Sequence, residues 1–218
     1  MHFIKNFRFW RLVWTVFVTY YFINFSRNFF DDAIPEKAMI PTTLFFIITV
    51  WLAFEYYFGS PFFQSGMVEA SSVWRAFFAV FFYPFLAFCI ADYVWLHWSQ
   101  MNFLYPVVNI IGILIFLVGV LIRLYTLFIV LRLPPTKFVP KGIYKISRHP
   151  RYLGTLIQLF GIALVLSSYL GLVLAIVIGI PLIIVEIRYE EKVLVDHFKT
   201  DYINYSKKVP VLIPKFKR

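Results

Sequence analysis

Cysteine is almost absent. Cys89 stands alone inside an apolar run, so the sequence offers no internal disulfide and no cysteine-based zinc cage. Charge is also scarce: Asp, Glu, Lys and Arg make up 15% of the 218 residues, and acids number 11 against 21 bases. With 61% hydrophobic and 22% aromatic residues and a mean hydropathy of +0.77, the chain is too apolar for a water-soluble domain of this size. The same composition excludes disorder and a disulfide-stapled secreted fold. No Gly-rich dinucleotide turn, Walker lysine loop, G-x-S-x-G elbow or H-E-x-x-H helix occurs, so soluble-enzyme cofactor folds are excluded and no metal site is expected. Without a linker, repeat or low-complexity tract, residues 1–218 read as one membrane domain.

What is abundant is long uncharged sequence, and a bilayer-spanning helix needs about 20 such residues. The chain therefore reads as all-α, a polytopic transmembrane helical bundle of about six spans. The basic start of Lys5, Arg8 and Arg11 precedes a short aromatic run, Leu12 to Phe25, with no small-residue cleavage site, which reads as a retained first span. Ala38 to Phe58, Ala76 to Ala91 and Phe103 to Ile122 follow. Tyr152 to Val185 then runs for 34 residues without a charge, too long for one ordinary span. The patch Ser167 to Gly171 divides it into a tight helical hairpin. A cytosolic C-terminal helix follows. The domain thus comprises N-terminal spans over 1–131 and a loop, hairpin and tail over 132–218.

Six crossings put both termini on one side, and the charges agree. Segments 1–11, 132–151 and 186–218 carry three, six and eight bases against zero, zero and five acids, and all fall on one face. Because Lys and Arg mark the cytoplasmic side, a multi-pass protein with both termini cytoplasmic is expected. The bases flank long apolar runs rather than striping an exposed face, so the bilayer is the expected partner and nucleic acid is not. Gly112 with Gly119, and Gly154 with Gly161, recur seven apart, a spacing that lets neighbouring helices approach closely. Glu55, Asp92 and Arg123 fall near predicted span ends, where snorkelling suffices.

Polar residues concentrate in two places, Gly142 to Gly154 and Glu186 to Glu191, which flank the predicted hairpin. A tight hairpin brings them together at one membrane face. Pro150 suits the first helical position, leaving free N–H groups and the positive dipole end beside Arg148 and His149 as an anion trap; an interfacial anchor is the plainer alternative. Gly154 leaves room for a ligand or a neighbouring backbone. In the tail, Glu190 has no local partner on its helical face, whereas Arg188 and Glu191 are spaced to pair. A carboxylate at a bilayer exit needs a cation, though a solvated helix face is the simpler reading.

The ordered pattern Gly142-x-Tyr144-x-x-x-Arg148-His149-Pro150-x-Tyr152-x-Gly154, then Glu190-Glu191, Phe198, Tyr202, Tyr205, Val209-Pro210 and Ile213-Pro214, resembles the isoprenylcysteine carboxyl methyltransferase and phospholipid methyltransferase superfamily. The resemblance covers roughly residues 136–214. It implies an integral membrane methyltransferase that uses S-adenosylmethionine and a lipophilic acceptor, either isoprenylcysteine-carboxylate-like or phospholipid-like. It further implies that Val139, Tyr144, His149, Pro150, Tyr152, Gly154 and Glu190 bind the cofactor. Glu190 and Glu191 would hold the cation or accept a proton, and Arg188 would orient the acceptor. Members that methylate a carboxylate carry an Arg one turn before the first Glu, where this chain has Glu186. An NADPH-dependent sterol-type reductase shares part of the motif, but usually with Asn and an acid where Arg151 and Thr155 stand. A non-catalytic lipid-binding protein is the remaining alternative.

Overall fold

The computed structural model describes residues 35–58, 77–130 and 140–213, and these are helical, with no strand among the described residues. The predicted first span lies outside them. In chain order come α1 (Pro35–Phe58), a π-helical turn (Phe77–Phe82) leading into α2 (Tyr83–Ala91), a second π-helical turn (Asp92–Leu96), and α3 (Val107–Val130). Then follow α4 (Pro150–Val165), α5 (Tyr169–Leu174), a third π-helical turn (Ala175–Gly179) and α6 (Ile180–Lys208). Among the described residues two stretches are long and apolar enough to cross a membrane, Val107–Ile129 and the continuous Tyr169–Lys208; Met39–Glu55, Val80–Leu96 and Pro150–Val165 are shorter apolar helices.

The polarity of α3 is inverted relative to a helix of a water-soluble protein. Its buried side carries Asn109, Arg123 and Thr126 beside Phe116 and Val120, whereas Ile110, Leu114, Val118, Leu121 and Tyr125 are exposed. An apolar exposed stripe opposite a polar buried one is the arrangement that a hydrocarbon solvent favours. Arg123 does not end the helix as expected, because its head is turned inward rather than toward a headgroup layer. α3 continues to Val130.

The most extensive helix pairing is between α3 and α4, and the spaced glycines create it. A Cβ on Gly161 would lie 2.7 Å from the Phe116 Cα, one on Gly119 would lie 2.7 Å from the Gly154 carbonyl oxygen, and one on Gly112 would strike the Val165 backbone nitrogen. The helices therefore run antiparallel with backbone against backbone, a packing open to glycine because nothing projects between them. Gly161→Ala is expected to lower stability by about 1–3 kcal/mol through overpacking, read as a fall in melting temperature in detergent.

The end of the bundle at the α4–α5 turn is fastened by Asp92. This fully buried carboxylate accepts from the Trp98 amide at 2.8 Å, from the Ser99 hydroxyl and from the Ser168 hydroxyl at 2.7 Å. It does not snorkel. The turn itself spans Leu166–Ser168, overlapping the start of the expected break at Ser167 while Tyr169 to Gly171 already belong to α5, with Ser168 capping α5 by accepting from the Gly171 amide at 3.0 Å. At the other end of the bundle, α6 is interrupted at Lys199 (φ 46°, ψ −119°), so that residues 200–213 turn back toward α4.

Candidate functional site

Residues 144–149 precede α4, and Glu186, Glu190 and Glu191 lie where α6 leaves its apolar stretch. The fold joins them. His149 Nδ1 is 3.3 Å from Glu190 Oε2, and His149 Nε2 is 3.2 Å from Glu191 Oε1. A neutral imidazole has one N–H, so carboxylates at both nitrogens call for the doubly protonated cation. Burial lowers the affinity of His149 for a proton, but its hydrogen bonds to Glu190 and Glu191 outweigh this and hold its pKa above the usual value. For Glu191, burial acts upward, but the His149 hydrogen bond and the charges of His149 and Arg148 hold its pKa below the usual value.

Arg148 Nη1 lies 2.7 Å from Glu191 Oε1, and the Tyr202 hydroxyl donates to the same oxygen at 3.3 Å. The anion trap expected at Arg148 and His149 does not stand open, because the chain's own carboxylates face it. Two of its backbone N–H groups are taken by the tail: the Arg148 amide donates to the Pro210 carbonyl at 2.9 Å and the His149 amide to the Val211 carbonyl at 3.0 Å. Glu191 thus pairs with Arg148 rather than with Arg188, which is exposed.

Tyr152 stacks obliquely beside His149, with ring centroids 5.7 Å apart, and its hydroxyl bonds Glu190. Glu186 and Glu190 are both buried. Tyr144 is half-buried; burial first, then the Glu190 charge, push its pKa up. Its carbonyl accepts from the Tyr205 hydroxyl at 2.6 Å. Pro150 opens α4 at its first position as expected. Gly154 faces α3, where Gly119 O and Arg123 Cγ occupy the space beside it, so a neighbouring backbone accounts for this glycine. Val139 lies outside the described residues.

Sequence reasoning missed a second polar cluster one turn further into α4. Arg123 and Glu55 form a fully buried bidentate pair, Nε to Oε1 at 2.9 Å and Nη2 to Oε2 at 2.7 Å. Trp51 Nε1 donates to Glu55 Oε1 at 2.9 Å, and the Arg123 Nη1 donates to the Thr155 hydroxyl. Each charge stands near the end of an apolar run, and no local signal in the sequence separates it from one that snorkels. Among the described residues no group of three or more His, Cys, Asp or Glu side chains is placed to hold a metal ion.

The His149–Glu190–Glu191 contact has a defined pH window. A raised His149 pKa gives stability that is complete below the ordinary imidazole value of 6.5 and lost as pH rises through the folded value. A lowered Glu191 pKa gives stability complete above the ordinary carboxylate value of 4.5 and lost as pH falls through the folded value. The melting temperature in detergent should peak between these two values, and the alkaline decline should shrink in His149→Gln.

A helical bundle with two membrane-length apolar helices and a mouth of paired acids and bases is the class these features define. Residues 107–201, less than half of the chain, match the family model for phospholipid methyltransferase, which agrees with the superfamily resemblance read from the motifs. The chain is similar to the protein-S-isoprenylcysteine O-methyltransferase of Saccharomyces cerevisiae, 42% identical over 35% of this chain and 32% of that one. It is also similar to protein-S-isoprenylcysteine O-methyltransferase B of Arabidopsis thaliana, 33% identical over 36% and 40%. A third relative is methanethiol S-methyltransferase 2 of Bradyrhizobium diazoefficiens, 33% identical over 34% and 27%. The matches span about a third of the length of these curated relatives. No solved structure matches significantly.

Proposed function

We propose that the protein is an integral membrane methyltransferase that moves a methyl group from S-adenosylmethionine to a lipophilic acceptor, either isoprenylcysteine-carboxylate-like or phospholipid-like. The observation that carries this reading is the meeting of His149 with Glu190 and with Glu191, the latter 42 residues away in the chain. The donor set suits a ligand that bears a carboxylate, an ammonium and a sulfonium. Arg148 Nε is buried without a hydrogen-bond partner, a donor in want of an acceptor. Glu186 and Glu190 supply buried negative charge for the cationic groups.

Tyr144, His149, Pro150 and Tyr152, together with Val139, would line the cofactor site, with Gly154 behind it and Glu190 at the ammonium. When bound, the cofactor supplies a methyl group already activated by positive sulfur. The chain's own residues then need to hold that group in line with the acceptor and keep water out, effects worth several kcal/mol. Glu191 would accept or hold a proton at its carboxylate, and Arg188 would orient the acceptor at the outer face. The two halves of the 152–185 run would cross as a hairpin, as two of six spans, with both termini cytoplasmic.

Titration in detergent separates the readings. S-adenosylmethionine is expected to bind and to raise the melting temperature, and NADPH to do neither. Stabilisation by NADPH instead would favour the reductase, and stabilisation by neither together with tight binding to anionic-lipid vesicles would favour a lipid-binding role.

A further inference from the structure

The tail that docks on the mouth also builds its outer rim. α6 reverses at Lys199, whose backbone (φ 46°, ψ −119°) is one that a residue with a side chain adopts at a cost, and the returning stretch is then fixed to the loop before α4. The Tyr205 hydroxyl donates to the Tyr144 carbonyl at 2.6 Å, the Ser147 hydroxyl donates to the Val211 carbonyl at 3.3 Å, and the Arg148 and His149 amides hold the Pro210 and Val211 carbonyls. Residues 141–149 and 205–213 therefore lie side by side. Tyr202, Tyr205 and Val209 turn inward and are buried.

Outward, these segments present four exposed lysines, Lys141, Lys145, Lys207 and Lys208. Neither 141–149 nor 202–213 contains an Asp or Glu, and the nearest acid in the tail, Asp201, stands beside the kink. On the same two segments Ile146 is 51% and Ile213 74% exposed. The depth of this surface is set by its neighbours: His149 meets Glu190 and Glu191, so the loop lies close to where α4 and α6 leave their apolar stretches, which in a bilayer is the headgroup layer. In water the two isoleucines would gain nothing from exposure, and four like charges would repel one another with no acid among them. Anionic headgroups neutralise the lysines while the upper acyl region takes the isoleucines, the combination of basic and apolar side chains that suits an interfacial contact.

We propose that the exposed face of residues 141–146 and 207–213 is a contact surface for anionic lipid headgroups of the surrounding leaflet, with Ile146 and Ile213 inserted among them. The contact does not depend on the methyltransferase reading. Its test uses full-length protein in nanodiscs of phosphatidylcholine alone and of phosphatidylcholine mixed with phosphatidylglycerol, with a fluorophore on Ile213→Cys; Cys89 is fully buried and stays in place. Quenching by acrylamide, a neutral aqueous quencher, is expected to fall at least about threefold from neutral to anionic discs, and quenching by headgroup-linked nitroxide to rise. High salt should shrink the difference. The triple variant Lys145→Gln, Lys207→Gln, Lys208→Gln should lose it while keeping its melting temperature in detergent, since exposed charges contribute little to the fold. Equal acrylamide access in the two discs, or a difference that survives in the triple variant, would overturn the proposal. A probe open to acrylamide and untouched by headgroup nitroxide in the anionic discs would place the surface in the cytosol, as a soluble acidic partner requires, and would overturn it equally.

Discussion

Glu55→Leu is expected to be among the most damaging single substitutions in the described residues, with a loss of about 3–5 kcal/mol seen as a collapse of melting temperature in detergent or failure to purify as a monodisperse species. The reason is the guanidinium left behind. Arg123 is fully buried and cannot shed its proton, and it would lose the carboxylate that its Nε and Nη2 both contact. The converse variant, Arg123→Met, should cost less. Glu55 can be neutralised by protonation, and Arg151, 3.7 Å away, can move in as its partner. Changing both residues, Glu55→Leu with Arg123→Met, should recover most of the loss, since a buried pair replaced by apolar side chains of similar volume is often neutral. An Arg123→Met variant as damaged as Glu55→Leu, or a double variant worse than either, would show that the pair holds the fold by something other than mutual neutralisation. The aromatic contact predicts a residual effect: Arg123 Cζ lies 5.0 Å over the Trp51 ring, so Met, which also packs against rings, should be tolerated better than Ala.

This pair also shows why the sequence was legible in some places and not in others. Patterns local in sequence carried over: the turn expected within Ser167 to Gly171 falls at Leu166–Ser168, because small hydroxyl residues in a long apolar run have few other uses than capping. Pro150 opens α4 for the same local reason, a fixed φ and no N–H to satisfy. The spaced glycines were legible as close-approach positions. Their partners were not, since spacing says that a helix can be approached but not by which neighbour. Glu55 and Arg123 are 68 residues apart, each near the end of an apolar run, and nothing local distinguishes a charge that snorkels from one that turns inward to a partner. Tail docking was hidden more deeply. The groups that accept from Arg148 and His149 are the backbone carbonyls of Pro210 and Val211, and every residue type has a carbonyl. The meeting of His149 with Glu190 and Glu191 was legible because two polar islands flank one apolar run and leave a returning chain few other places to put them.

His149→Ala and Glu190→Gln are expected to weaken S-adenosylmethionine binding by at least about 30-fold each, on the basis that truncating one member of a desolvated charge pair costs about 2–5 kcal/mol. They should fail by different routes. Glu190→Gln removes a negative charge 3.3 Å from His149 Nδ1, which lowers the imidazole's proton affinity, so the remaining binding should become steeper in pH and fall earlier on the alkaline side. His149→Ala removes the titrating group, so its weakened binding should be flat over the same range while Glu190 and Glu191, no longer bridged, repel each other. Arg188→Ala serves as the comparison: its side chain is exposed, and cofactor affinity should stay within threefold even if turnover falls. Calorimetry across pH in detergent reads all three. Identical pH profiles for His149→Ala and the wild type would mean that the imidazole is not the titrating element of the mouth, and wild-type affinity in Glu190→Gln would remove the carboxylate from the cofactor site.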